Sequence, residues 1–436
     1  MRLTPKSPGR KDTANLPGRP AIVAALDVGT SKVACFIGKV HESKSGARAQ
    51  VNVIGVGHQV SRGVKCGAVV DMVEVEESIR SAVDQAERMA GVTMHQVIAG
   101  FSAGSPRSFI CSGSVELEGQ AATEREMDRA ISAAHGTLDL KHLQALHSIP
   151  VNYWIDGARG IKEPMGMFGN VLGVNLHVVG ADAGPVRNLG VCVERCHLEM
   201  AGLVAGSYAS GLASLVEDEM DLGVTLIDMG GGTTSIAVFS EGSLVHVGVA
   251  PVGGIHVTND LARGLSTTVA QAERLKTLFG SALIAQTDDK ATLTVPLIGE
   301  DDPDAVHQVP RSMLTSIIRP RVEETLELVR DLLEDAGVAK LAGRSVVLTG
   351  GASQLNGMKE TAARILGKQV RLGRPVRLTG LPDAASGPAF STVAGLLSYL
   401  VHGPADALLV DSRSEPRKGS HQIARIGRWF NEIIGG

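Results

Sequence analysis

The chain carries one device twice, and few folds can use it. Leu226–Val238 reads as an apolar strand, a turn holding Gly230, Gly231, Gly232, Thr233 and Thr234, and a second strand. Ala21–Gly38 is again strand, turn and strand, with Asp27, Gly29, Thr30, Ser31 and Lys32 at the tip. Glycines at such a turn permit positive φ and turn backbone N–H groups toward one point, with no side chain in the way of a phosphate. In each hairpin an aspartate, Asp27 or Asp228, leaves the first strand just before the turn, where a carboxylate can hold a water on a bound Mg²⁺. One such loop alone is equally a glycine-rich hairpin with nothing bound. Two facing hairpins would clamp a polyphosphate and its metal from both sides. A third stretch, Ser345–Ser353, is a buried-looking strand running into Gly350-Gly351 and then a helical segment. A base or ribose would lie there against bare backbone. The three motifs in this order are far more specific than any one of them.

Composition narrows the rest. At 436 residues there is room for two to four domains or subdomains. Aromatics make up only 3%, so the cores must be packed with Val, Leu, Ile and Ala. A net charge of −4 gives no reason to expect nucleic acid as a partner. The five cysteines, Cys35, Cys66, Cys111, Cys192 and Cys196, form no Cys-x-x-Cys pair, which argues against a disulfide framework or zinc site and fits a reducing cytoplasm. No signal peptide is visible, and the least charged long run, Ala201–Val216, is too short and polar to span a membrane. It reads as a small-residue helix packed inside.

Taken in order, residues 1–20 form a proline-rich basic arm without periodicity. Residues 21–100 alternate strand, strand, helix (Val73–Met89) and strand (Gln96–Phe101), the signature of a sheet with a crossover helix. Residues 102–179 read as an α+β insertion with no phosphate-like loop, its helix Thr123–Gly136 opening on a Thr123/Glu126 capping box. Residues 186–220 read as helical. Gly253-Gly254 opens a long helical stretch, Ile255–Leu278, in which Glu273 and Lys276 share one face. Met313–Ala336 is a second long amphipathic helix, and a further helix is expected over Leu355–Leu366. Residues 403–420 form a charged linker.

The tail, residues 421–436, patterns as an amphipathic helix. Ile423, Ile426, Phe430, Ile433 and Ile434 lie along one face, Arg425 and Arg428 lie opposite, and Trp429 falls at the edge. Such a helix either docks on the protein's own core or lies in the plane of an anionic membrane surface, and the charged linker before it favours the membrane. It cannot span.

Asp27-x-Gly-Thr, Asp228-x-Gly-Gly-Gly-Thr and Thr349-Gly-Gly resemble the phosphate and adenosine motifs of the actin superfamily of ATP-binding proteins. Within it, residues 22–400 resemble the FtsA family of bacterial division proteins, through Val53–Gly57, Ser61–Gly63, Gly160–Gly166, Val193–Cys196, Val347–Gly351 and Ser391–Leu397. The resemblance implies an α/β, actin-like two-lobed ATP-binding fold with an inserted small α+β subdomain and a C-terminal amphipathic helix. It divides the chain into subdomain 1A (21–101, 180–205 and 380–402), the insertion 1C (102–179), 2A (206–257 and 337–379) and 2B (258–336). It also implies ATP and Mg²⁺ as cofactors, with Glu273 and Lys276 holding ribose and adenine.

Expected partners are the C-terminal tail of the tubulin-like FtsZ, met through Arg311, Arg319 and Arg321, further copies of the chain in a filament, and later division proteins at the insertion. The site of action would be the cytoplasmic face of the inner membrane during septum formation. Chaperone and filament relatives carry a Glu-Pro-x-Ala-Ala segment whose acid orients the attacking water. The stretch matching it, Ala201–Ala205, has no acid at its first position, and Glu199 is out of register. With Asp228 as the only catalytic candidate, at most slow hydrolysis is expected. A pilus-assembly adaptor or a small-molecule kinase of the same superfamily are the alternatives.

Overall fold

A computed structural model describes residues 21–41, 49–103, 105–140, 142–284, 290–299 and 306–402. The basic arm, the linker and the whole amphipathic tail, with Ile423, Arg425, Ile426, Arg428, Trp429, Phe430, Ile433 and Ile434, lie outside the described residues.

The first lobe is built on β1 (Ile22–Val28), β2 (Lys32–His41), β3 (Gln50–Val60), the small hairpin β4 (Val64–Lys65) and β5 (Ala68–Val69), α1 (Met72–Ala90) and β6 (Gln96–Phe101). Asp71 starts α1 by accepting hydrogen bonds from the N–H groups of Val73 and Glu74, and Gly91 ends it in the left-handed conformation. The insertion holds β7 (Arg107–Glu116), α2 (Glu124–His135), β8 (Leu143–Ile155), β9 (Ala158–Ile161) and β10 (Val171–Asp182), with its sheet in the order β7-β10-β8-β9. Helix α2 lies so close on β7 that a Cβ on Gly113 would sit 2.2 Å from the backbone nitrogen of Ala134. At Thr123 the expected capping box is not made. The hydroxyl bonds the Glu126 carboxylate and leaves the backbone N–H groups uncapped by it.

The chain returns through α3 (Ala183–Arg195), β11 (Glu199–Ala205), α4 (Gly206–Ser214) and α5 (Glu217–Leu222). The first sheet therefore runs β11-β6-β1-β2-β3. The expected helix over Ala201–Val216 is wrong in its first half. Residues 199–205 pair in parallel with β6, and that ladder outweighs the local preference of small residues for helix.

The second lobe is β12 (Val224–Met229), β13 (Thr234–Ser240), β14 (Ser243–Ala250), α6 (Gly254–Gly264), α7 (Val269–Phe279), β15 (Thr292–Pro296), β16 (Val306–Pro310), α8 (Arg311–Asp335), β17 (Ser345–Thr349), α9 (Met358–Leu366) and β18 (Gln369–Leu372). Its main sheet runs β14-β13-β12-β17-β18, and α10 (Ser391–His402) closes the described chain back on the first lobe. The single helix expected over Ile255–Leu278 is two. Ser266 takes positive φ after α6, and Thr268 caps α7 by accepting from the N–H of Gln271. The helix expected over Leu355–Leu366 is α9 and starts only at Met358, because Gly357 takes the left-handed conformation between it and a 3₁₀ turn, Gly351–Gln354.

Strand alternation decides what the second sheet faces. Val224 and Leu226 pack into the core of the first lobe with α4 and α10, whereas Ile227 and Met229 pack into the second lobe's own core. By parity Asp228 points with Leu226, toward α4 and α10.

Candidate nucleotide cleft

Each phosphate-type hairpin closes identically. The N–H of Gly29 donates to the Lys32 carbonyl at 3.0 Å, and that of Gly230 to the Thr233 carbonyl at 2.9 Å. The strands pair Asp27 with Ala34 and Asp228 with Ser235, so each carboxylate leaves its ladder at the same point before its turn. Positive φ is not what the glycines supply: none of Gly29, Gly230, Gly231 or Gly232 adopts it. They supply room. A Cβ on Gly231 would lie 2.8 Å from the Ser31 Oγ, and one on Gly232 would lie 2.4 Å from the Thr30 Oγ1. The two tips, carrying Thr30, Ser31, Gly231 and Gly232, therefore meet across the cleft between the lobes.

Lys32 completes this meeting. Its ammonium lies 4.1 Å from the centre of the Phe390 ring, which stacks on Phe36. Burial pushes the Asp27 carboxyl up to about 6, with Lys32 opposing the shift and Asp228 adding to it. Burial also raises Asp228 and lowers Lys32. Two carboxylates thus share one ammonium in a poorly solvated place, an arrangement that a divalent cation would relieve. Among the described residues no three His, Cys, Asp or Glu side chains converge. The donor set fits Mg²⁺ held by Asp27 and Asp228 largely through water, as that ion prefers.

Asp228 has two further partners that sequence reasoning missed. Its Oδ2 accepts from the hydroxyl of Ser210 on α4 and, at 3.1 Å, from the Oγ1 of Thr392 on α10. Thr233 and Thr234 are both buried, the latter donating to the Val252 carbonyl at 2.8 Å. Helix α6 begins on the second hairpin, the N–H groups of Gly254 and Ile255 donating to the carbonyls of Gly230 and Gly231.

The third motif adjoins the second. β17 pairs in parallel with β12, matching Thr349 to Asp228. Gly350 has a φ of 85°, and a Cβ there would come within 2.4 Å of the Asp228 Oδ1; here glycine is needed for both conformation and space. Gly351 then opens the 3₁₀ turn. Ala352 and the Lys276 ammonium both border Gly254, which brings the turn and α7 to one wall. Lys276 bonds Glu273 at 2.7 Å, Thr258 at 2.8 Å and the Gly254 carbonyl at 3.1 Å.

Glu199 has no place in this cleft. It starts β11 beside Gln96, whereas the cleft end of the sheet is marked by Val204 and Asp27, both paired with Gly100. The partners of Glu199 and Val204, Gln96 and Gly100, stand four steps apart on β6, which puts Glu199 about 13 Å from Val204. The α8 arginines are also engaged within the chain. Arg311 donates to the Phe279 carbonyl, Arg319 pairs with Glu323 at 2.8 Å, and Arg321 ties α8 to α6 through Asp260 at 2.6 Å.

The comparisons with known proteins converge. The family model for the cell division protein FtsA matches residues 225–395, and the model for the SHS2 domain inserted in FtsA matches residues 103–180. The cell division protein FtsA of Agrobacterium fabrum is 47% identical over 425 residues, covering 95% of each chain. The chain belongs to the FtsA family. FtsA of Pseudomonas aeruginosa is 35% identical, covering 94% of this chain and 97% of its own, and FtsA of Escherichia coli K12 is 34% identical, covering 94% and 96%. As a member of the FtsA family the protein works in cell division, and the pilus and kinase alternatives are not favoured.

Among solved structures, the PilM–PilN type IV pilus biogenesis complex superposes with a TM-score of 0.59 at 16% identity, covering 86% of this chain and 97% of its own. MreB5 of Spiroplasma citri bound to ADP gives 0.51 at 14%, covering 88% and 96%. At such identities these share the fold, which is actin-like and two-lobed with the SHS2 insertion. No described helix is long and apolar enough to cross a membrane.

Proposed function

We propose that this FtsA-family protein is an ATP-binding adaptor that joins FtsZ to the membrane. The observation carrying the nucleotide reading is the meeting of Asp27, Lys32 and Asp228 between two glycine-tipped hairpins. Backbone donors and the hydroxyls of Thr30, Ser31 and Thr233 would take the phosphates, and Asp27 and Asp228 would hold Mg²⁺ through water; Thr234, expected among them, spends its hydroxyl on the Val252 carbonyl instead. Gly350, Gly351, Glu273 and Lys276 would hold the nucleoside, in keeping with the ADP bound to the MreB5 relative in fold. With Glu199 at the end of its strand remote from the cleft and no acid in the Ala201–Ala205 segment, Asp228 is left to polarise a water, and turnover is slow. ATP acts mainly by favouring one lobe arrangement through differential affinity.

The FtsZ tail, in this reading, docks around α8, where Arg311 bonds the Phe279 carbonyl beside exposed Leu278 and Met313 is exposed two residues on. An acidic tail would compete with Glu323 for Arg319, while Arg321 stays with Asp260. Later division proteins meet the insertion, copies of the chain form filaments, and residues 421–434 lie on anionic lipid at the inner face of the cytoplasmic membrane. Two measurements test the reading. Titration of the full chain with ATP and Mg²⁺ must show saturable binding. Flotation with anionic liposomes must carry the intact chain but not one cut after His402; if both or neither floats, the tail is not the anchor.

A further inference from the structure

Two strand residues of the second lobe and the crossing helices α4 and α10 share a set of buried and half-buried hydroxyls. Asp228 and Thr349 are register partners on β12 and β17. Helix α4 presents Ser210 and Ser214, one turn apart, and α10 presents Ser391 and Thr392 from its first turn. Asp228 takes Ser210 and Thr392, whose hydroxyls are also 3.0 Å from each other. Thr349 takes Ser391 at 2.6 Å, and Ser391 accepts from Ser214 at 3.1 Å. The helices reach one carboxylate together because they cross almost in backbone contact: a Cβ on Gly395 would fall 1.7 Å from the Ala209 carbonyl oxygen.

We propose that Ser210 and Thr392 are positioning residues that orient Asp228 toward Mg²⁺-bound phosphate and, through it, tie the cleft to the α4–α10 crossing. The proposal rests on the nucleotide reading above. With Oδ2 held by two hydroxyls from different helices, the Asp228 carboxylate cannot turn about its Cβ–Cγ bond, and Oδ1 stays on the side bordered by Gly350. A carboxylate that holds a metal through water depends on such supporting bonds for its direction, and their loss typically weakens the metal about 10–100-fold. The same two bonds carry any shift of Asp228 on nucleotide binding into both helices, so lobe angle and cation occupancy move together.

The test measures ATP affinity of the full chain by calorimetry with Mg²⁺ and with EDTA, and takes the ratio. In Ser210→Ala and in Thr392→Val the ratio should fall about tenfold or more, with EDTA affinity nearly unchanged. Thr392→Val keeps the side chain's shape and carries the test if Ser210→Ala fails to fold, while Thr392→Ser restores the hydroxyl and should restore the ratio. Ser214→Ala removes an equally buried hydroxyl from the same helix without touching Asp228. It should lower the melting temperature and leave the ratio alone. A ratio within twofold of the parent in both test variants overturns the proposal, as does an equal fall in Ser214→Ala, which would make the hydroxyls merely structural. A parent chain whose ATP binding ignores Mg²⁺ overturns the underlying nucleotide reading, and this proposal with it.

Discussion

The two hairpins have the same turn closure and strand register but different ways of keeping a half-buried carboxylate. At the first, Asp27 has a cation: Lys32 leaves the same turn, backed by Phe390. At the second, Asp228 has hydroxyls from two helices, Ser210 only 18 positions away and Thr392 164 positions away. The first tip is braced within its own lobe, the N–H of Gly67 donating to the Thr30 Oγ1 at 2.9 Å and that of Ser61 to the Ser31 carbonyl. The second leans on Val252 and the start of α6. The first carboxylate is thus compensated by a charge from its own turn, and the second mainly by hydroxyl dipoles from two helices, with Lys32 adding a smaller share. The second hairpin is therefore the one whose setting can report on how the lobes stand.

Replacing the cation should break the comparison most strongly. Lys32→Met leaves two half-buried, poorly solvated carboxylates without an ammonium and should cost about 3 kcal/mol of stability, read from chemical unfolding at neutral pH. The cost should shrink below pH 6 as Asp27 takes up a proton; an equal cost at both pH values would mean Lys32 does not compensate Asp27. Next, Gly232→Val drives a side chain into Thr30 and should separate the tips, costing about 1–3 kcal/mol by the same measurement and weakening ATP binding.

The pH profile sharpens the contrast. Asp27 binds its proton more tightly folded, at about 6, than unfolded, at 3.8. Between those values the native state holds more protons, so stability should fall as pH rises from about 4 to about 6. Asp27→Asn should flatten that slope in thermal melts, and Mg²⁺-dependent ATP affinity should weaken as pH drops through about 6. The smallest effects should come from the bracing hydroxyls. Thr234→Val and Thr30→Val should each cost about 1 kcal/mol, since each removes one hydrogen bond. Thr234→Val should be the more costly, because its bond is the more buried.

Local patterns made much of this legible in the sequence. Short apolar runs and turn glycines marked both hairpins and the Thr349-Gly350 turn, and helical spacing marked α1 and α8. The misses have one kind of cause. Ala201–Ala205 is strand because β6 offers a parallel ladder, and the break at Ser266 splits a continuous helical pattern. Phe390, Thr258, Ser210 and Thr392 entered the site unannounced, although Ser391–Leu397 was among the stretches that carried the family resemblance.

What the sequence determined by itself was the device and its parity. An aspartate two places before each turn must sit on a set face, because side chains alternate along a strand. What only the tertiary structure decided was the company that carboxylate keeps. Small residues at Ala209 and Gly395 let α4 and α10 cross at backbone contact, and only that approach delivers two hydroxyls 182 positions apart to Asp228. Hydrogen bonds act over about 3 Å, and no spacing along a chain encodes an encounter made by packing two distant helices.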